Sequence, residues 1–160
     1  MKKNNNILSH LNTNGHPQMV DVSEKKITSR IATAQSEIQF PASVFEQLSQ
    51  NNFLSSKGNI FATAIIAGTM AAKRTADLIP LCHPLSLSQI VIDIEKVNNG
   101  LLIKATIKCE GKTGVEMEAL TAASVAALTV YDMCKALSHD IIIAQTKLLK
   151  KKGGKSDFKE

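Results

Sequence analysis

Tryptophan is absent from this 160-residue chain, tyrosine occurs once, and aromatic residues make up only 4% of it. A protein that grips nucleic acid by stacking bases on aromatic rings is poorly supplied here, and no nucleic-acid partner is expected. No apolar run approaches the roughly 18 residues of a membrane span, so no membrane association is expected. The start, Met1–Asn6, is polar and has no export-signal pattern. Cysteine is scarce: Cys82, Cys109 and Cys134 lie 27 and 25 residues apart, with no C-x-x-C pair. That spacing argues against a structural zinc site, and no metal centre is expected. An odd cysteine count with no export signal points to a reducing compartment and a cytoplasmic protein. A nucleotide-hydrolase phosphate loop is also missing. Gly153-Gly-Lys-Ser156 has the ending of one, but Leu149 stands where the pattern needs glycine.

Apolar residues at 44% and charged residues at 21% fit one globular domain over residues 1–160. The net charge of +5 is uneven. Residues 1–30 carry five basic and two acidic side chains, and residues 147–160 carry six and two. The middle, residues 31–146, carries eight basic and ten acidic. Basicity therefore sits in the two ends, which suits arms that meet a local anion. Residues 1–18 and 151–160 read as mobile segments, the first broken by Gly15 and Pro17, the second rich in Lys, Gly and Ser.

Between them, Lys26 to Phe40 is strand-compatible, and Pro41 opens a short helical segment. Asn51–Gly58 reads as a loop, and Asn59 as the cap of a helix that stops before Pro80. Ala64, Gly68, Ala71 and Ala72 leave that helix thin enough to approach another backbone closely. Ser88–Val97 and Leu101–Cys109 alternate as a hairpin, with Gly100 as the turn residue able to take positive φ. Thr113-Gly-Val-Glu116 matches a capping box and opens a helix to about Leu137, and Ile141–Lys150 is the last strand. Merging the first two helices gives a βαββαβ order, so the expected fold is an α+β ferredoxin-like sandwich with an extra helix and an antiparallel sheet.

At ~100° per residue, Glu118, Thr121, Val125, Leu128, Asp132 and Lys135 share one stripe of the long helix. Ala119, Ala123, Ala126, Val130, Met133 and Leu137 fall opposite, and Leu120, Ala127, Tyr131 and Cys134 widen the apolar side. One sheet needs only one apolar stripe, so a second surface is expected, most simply another copy of the chain. Asp132 and Lys135 are either an ordinary surface i,i+3 pair or a reactive pair, and Val125 and Leu128 on their stripe favour a partly buried setting. His83 follows a helix stop, and Lys57 precedes a helix start, where orphan N–H groups favour anions. On the residues alone, an anionic small molecule is the expected ligand. The reaction stays open, and a non-enzymatic anion-binding module remains an alternative.

Two long strings go further. Ala71-Ala-Lys-Arg-Thr-Ala-Asp-Leu-Ile-Pro-Leu-Cys-His-Pro-Leu85 and Gly111–Ala136, which includes Lys112-Thr-Gly-Val-Glu-Met-Glu118 and Tyr131-Asp-Met-Cys-Lys135, closely resemble the cyclic pyranopterin monophosphate synthase family, molybdenum cofactor biosynthesis protein C. Met19–Ser23, Lys57-Gly58, Phe61–Ala64 and Gly153–Ser156 match as well. The chain departs from many relatives at Asn59, Ile65 and Ala76, and by lacking a glycine between Ser156 and Asp157. The resemblance implies a ferredoxin-like fold and a hexamer built as three dimers, with sites at a subunit interface. It implies conversion of a 3′,8-cyclised dihydroguanosine triphosphate into cyclic pyranopterin monophosphate with release of pyrophosphate. Asp132 would be the catalytic carboxylate, with Lys57 and Lys135 as acid–base partners, and lysines of lowered pKa would suit that work near neutral pH. Leu81, Cys82, His83, Met117 and Glu118 would bind substrate, and Arg30, Lys151 and Lys155 would contact the triphosphate. No resident cofactor is implied, only Mg2+ as a companion of the triphosphate.

Overall fold

The computed structural model describes residues 14–160. Its elements run β1 (Thr28–Gln39), α1 (Ala42–Gln50), β2 (Leu54–Ser55), β3 (Gly58–Asn59), α2 (Ile60–Lys73), α3 (Thr75–Leu78), β4 (Leu87–Val97), β5 (Gly100–Gly111), α4 (Glu116–Cys134), β6 (Ile142–Lys152) and β7 (Phe158–Lys159). The main sheet is antiparallel throughout, in the order β4-β5-β1-β6-β7. Its four long strands, taken edge to edge, are the second, third, first and fourth, which is the ferredoxin-like arrangement. Among the described residues, no helix is long and apolar enough to cross a membrane.

Period-two alternation puts Ala32, Ala34, Ser36 and Ile38 of β1 on the same face as Leu101, Ile103, Ala105, Ile107 and Cys109 of β5, all buried. Ser36 is polar but satisfied, since its hydroxyl meets that of Thr146 at 2.6 Å. On the opposite face, the Thr33 and Thr106 hydroxyls meet at 2.9 Å across the strands. The helix α4 lies on the buried face through small side chains: Ala119, Ala122, Ala123, Ala126 and Ala127 are all inaccessible. Gly68 lets α2 come against it. A Cβ there would stand 2.8 Å from the Ala122 carbonyl oxygen and 2.7 Å from the Ile92 side chain. Forcing the two helices apart would cost about 1–3 kcal/mol. Four of the five phenylalanines, Phe40, Phe45, Phe53 and Phe61, gather in one corner beside α1, with successive ring centroids 6.1, 5.9 and 4.6 Å apart.

Several expectations are corrected. The helix capped by Asn59, whose side chain accepts from the Ala62 N–H at 2.9 Å, does not run unbroken to Leu78. It breaks at Arg74, because the Thr75 hydroxyl turns back onto the carbonyls of Ala71 and Ala72. The segment Asn51–Gly58 is not all loop, since β2 and β3 pair as a small hairpin. In the β4–β5 turn Asn99, not Gly100, takes positive φ. Gly100 serves a different need: a Cβ there would come within 2.5 Å of the Ile38 carbonyl oxygen. The capping box does not form. Val115 is the residue before α4, no side chain caps it, and Glu116 instead pairs with Lys151 at 3.2 Å.

Of the N-terminal arm, residues 1–13 lie outside the described residues. At the other end β6 extends to Lys152, and β7 folds back on it, pairing Lys159 with Lys150 and Phe158 with Lys151. The Asp157 carboxylate accepts the Gly153 N–H at 3.1 Å, closing the reversal between them. Pairing of β6 with β1 is interrupted by two bulges. Between Ile38↔Ile143 and Glu37↔Gln145, and again between Ala34↔Leu148 and Thr33↔Lys150, β6 carries one residue more than β1.

Candidate active site

The C-terminal end of α4 brings together three of the expected residues. The Asp132 carboxylate meets Lys135 Nζ at 2.7 Å through Oδ1 and Lys57 Nζ at 3.0 Å through Oδ2. Lys57 arrives from the β2–β3 turn, where its N–H donates to the Ser55 hydroxyl at 3.1 Å. Gly58 follows at φ 108, a backbone angle that suits glycine. Hydrogen bonds and charge from Lys135, then Lys57, hold the Asp132 carboxyl down to about 2. The same contact with Asp132 raises Lys135. The expectation of lysines with lowered pKa therefore fails for Lys135 in the single chain: its neighbour stabilises the ammonium. The partly buried setting is not met either. The Asp132 and Lys135 side chains are each 52% exposed, and Leu128 beside them is open.

The N-terminal end of α4 is built differently. Glu118 is only 4% exposed. It lines a cavity of about 530 Å³ with Leu81, Cys82, His83, Met117 and Lys155. Burial raises its carboxyl, against the pull of its own backbone N–H in the first turn of the helix. Burial and then the Glu118 charge raise the Cys82 thiol, so Cys82 presents a thiol here rather than a nucleophilic thiolate. His83 Nε2 lies 2.9 Å from the Val20 carbonyl oxygen. A carbonyl only accepts, so Nε2 carries the proton, and in the neutral ring Nδ1 is the acceptor.

A second cavity of about 460 Å³ adjoins the first. Seven basic side chains line it, Lys25, Lys26, Arg30, Lys112, Lys151, Lys152 and Lys155, with Glu116 as the one carboxylate. Arg30 reaches it from β1, its guanidinium resting on the carbonyls of Gly111 at 3.3 Å and Lys112 at 3.4 Å. The Gly153-Gly154 reversal seats over β1. Gly153 has φ 88, and a Cβ on it would strike the Ser29 carbonyl oxygen. Thr28 fixes it by donating its hydroxyl to the Gly153 carbonyl at 3.0 Å. Lys25, Thr113, Gly114, Glu116 and Lys155 belong to both cavities, so the two form one cleft.

All eleven expected residues thus fall into two groups. Lys57, Asp132 and Lys135 meet at one end of α4. Leu81, Cys82, His83, Met117, Glu118, Arg30, Lys151 and Lys155 line the cleft at the other. The fourteen residues from Glu118 to Asp132 span ~21 Å of helix. Residue patterns did not single out Lys25, Lys112 or the turn around Asp21, and they marked Glu116 only as part of a capping box. The matching strings Met19–Ser23 and Gly111–Ala136 passed through or beside them, but only the fold shows what they face. Among the described residues, no three His, Cys, Asp or Glu side chains converge as a metal site needs.

The chain is thus an antiparallel ferredoxin-like sandwich that carries a lysine–aspartate–lysine cluster and a strongly cationic cleft. The chain belongs to the MoaC family, whose model matches residues 19–154. It is 58% identical over 152 residues to the cyclic pyranopterin monophosphate synthase of Xanthomonas campestris pv. campestris (strain B100), covering 94% of this chain and 92% of the relative. The proteins of the same name from Xanthomonas axonopodis pv. citri (strain 306) and Xanthomonas oryzae pv. oryzae (strain MAFF 311018) are 56% and 57% identical over the same shares.

Proposed function

We propose that this chain catalyses the formation of cyclic pyranopterin monophosphate, a step of molybdenum cofactor biosynthesis. Its substrate is (8S)-3′,8-cyclo-7,8-dihydroguanosine 5′-triphosphate, and pyrophosphate is the other product. The observation that carries the reading is Asp132 held between two ammonium groups, in a chain 56–58% identical to proteins of that name. The reaction opens a C–N bond at the aminal carbon and rebuilds the rings, so protons are given and taken at several atoms. Lys57 and Lys135 are the acid–base partners in these transfers, and the Asp132 carboxylate, bonded to both ammonium groups, holds them together at the reacting atoms. Glu118 can accept two N–H bonds from the guanine-derived edge. A hydroxyl then attacks the α-phosphorus, and pyrophosphate leaves as the P–O bond breaks. Arg30, Lys151 and Lys155 stabilise the charge that develops on that leaving group. Mg2+ accompanies the triphosphate as part of the substrate.

One substrate cannot place its reacting ring beside both Glu118 and Asp132 of a single chain. The site is therefore shared between two copies, the cleft of one facing the cluster of the next, in a hexamer of three dimers. Ile66 and Met70 on α2 and Leu128 on α4 support this, since each leaves about half or more of its apolar surface exposed in the single chain. The location proposed is the cytoplasm. The test supplies the cyclised nucleotide to purified protein and follows pyrophosphate and pterin fluorescence. Both should appear. An unchanged nucleotide, beside an active relative, ends the assignment.

A further inference from the structure

Residues 20–25 belong to no helix or strand, and Val20, Val22 and Lys25 among them line the cleft. They form a tight turn: the Asp21 carboxylate accepts the Ser23 N–H at 2.8 Å and its hydroxyl at 2.7 Å, and the Lys25 N–H closes onto the Val22 carbonyl at 3.0 Å. Asp21, Ser23, Glu24 and Lys25 are exposed, so burial does little to hold the turn in place. Two side chains of the body reach it instead. His83 takes the Val20 carbonyl, and Lys112 Nζ donates to the Ser23 carbonyl at 2.7 Å. Lys112 follows directly on β5, and the Arg30 guanidinium donates to its carbonyl, so this anchor is fixed to the sheet. Two residues beyond the anchored carbonyl, Lys25 stands where the two cavities join.

We propose that Lys112 is a positioning residue. Its ammonium clamps the Ser23 carbonyl, and the clamp holds Lys25 at the junction between the ring end and the phosphate end of the cleft. The bond is short and charge-assisted, and it directs the Lys112 charge to backbone while Lys25 remains for the ligand. The inference rests on reading the cationic cavity as the triphosphate subsite.

Two measurements test it, and neither needs turnover. Lys112→Met keeps the apolar stem and removes the donor, whereas Lys112→Arg keeps a donor. Trypsin cleavage after Lys25, followed by mass, should speed up roughly tenfold in Lys112→Met, as expected for a turn that loses one charged hydrogen bond, and return toward the wild-type rate in Lys112→Arg. Equal rates in all three overturn the clamp. Calorimetry with inorganic tripolyphosphate at fixed ionic strength then compares Lys112→Met, Lys25→Met and the double variant. Acting through Lys25, Lys112→Met adds nothing to the loss already caused by Lys25→Met. If the two losses multiply, Lys112 touches phosphate itself and the proposal is overturned. A chain that makes no cyclic product yet passes both measurements keeps the clamp and loses only the functional reading.

Discussion

Glu118 and Asp132 sit at opposite ends of one helix, and their surroundings push their protonation in opposite directions. Glu118 is enclosed, and loss of water raises its carboxyl. Asp132 is half exposed, and two ammonium groups lower its carboxyl to about 2. Burial penalises charge wherever it occurs, whereas a paired cation rewards it even in water. The cleft around Glu118 has walls, which a single chain supplies. The cluster around Asp132 has charge but no walls. One end of α4 is thus walled, and the other stands open in the single chain.

The comparison is tested most severely at the open end. Asp132→Asn keeps the shape and removes the charge. Turnover should fall by about 10²–10⁴, the usual worth of a positioned acid–base group. The melting temperature should stay within a few degrees, because an exposed pair contributes little to stability. Near-normal turnover would reduce the cluster to a surface ion network. Mixing tests whether the ends cooperate across chains. Inactive Glu118→Ala and Asp132→Ala subunits, allowed to exchange, should recover up to about a quarter of wild-type activity, since half of the dimers are mixed and each of those holds one intact site of two. Exchange confirmed by mass without any activity would place both residues in one chain's site or in separate sites.

Smaller effects lie at the enclosed end. Replacing Lys151 and Lys155 together by Ala should weaken triphosphate binding by about tenfold to a hundredfold, and the salt dependence of binding should flatten. An affinity unchanged across a salt series removes the tail from the site. The mildest effect is on stability. A carboxyl raised by folding is disfavoured in its charged form, so the penalty applies above the folded pKa and vanishes below the unfolded value of 4.5. Glu118→Gln should therefore melt higher than the wild type at neutral pH, and the gap should close as pH falls toward 4.5. The opposite holds for Asp132, whose contribution is present above 3.8 and lost as pH falls toward 2.

Periodic segments were legible from residues alone. Leu101, Ile103, Ala105, Ile107 and Cys109 alternate, and they are the buried face of β5. The small residues of α2 anticipate its close approach to α4 at Gly68. What escaped was decided by competition between local options. Thr75 could have continued a helix and instead bonded backward. Thr113 could have capped α4, yet Glu116, its partner in that motif, was drawn to Lys151, 35 residues on. The site followed the same division. The matching strings located Asp132 and Glu118, but that Lys135 is held protonated, and that Lys112 faces Ser23, depends on distances that only folding creates.

The bulges of β6 decide which lysine reaches Glu116 beside the cleft. From Ile38 to Ala32, β1 takes six steps, while β6 takes eight from Ile143 to Lys151. In a pleated strand every step exchanges the two faces, so the position of a side chain is a matter of odd and even. The second bulge turns Lys151 toward α4, where it reaches Glu116, and leaves Lys150 on the far face beside Thr33 and Lys104. Had β6 paired evenly past Leu148, the parity of the Lys150-Lys151-Lys152 run would be reversed. Lys150 and Lys152 would then turn inward, and Lys151 would face away. Three adjacent residues of the same type are thus given different duties by one unpaired residue, Leu149, and homopolymeric stretches of this kind can be re-addressed without changing a single side chain.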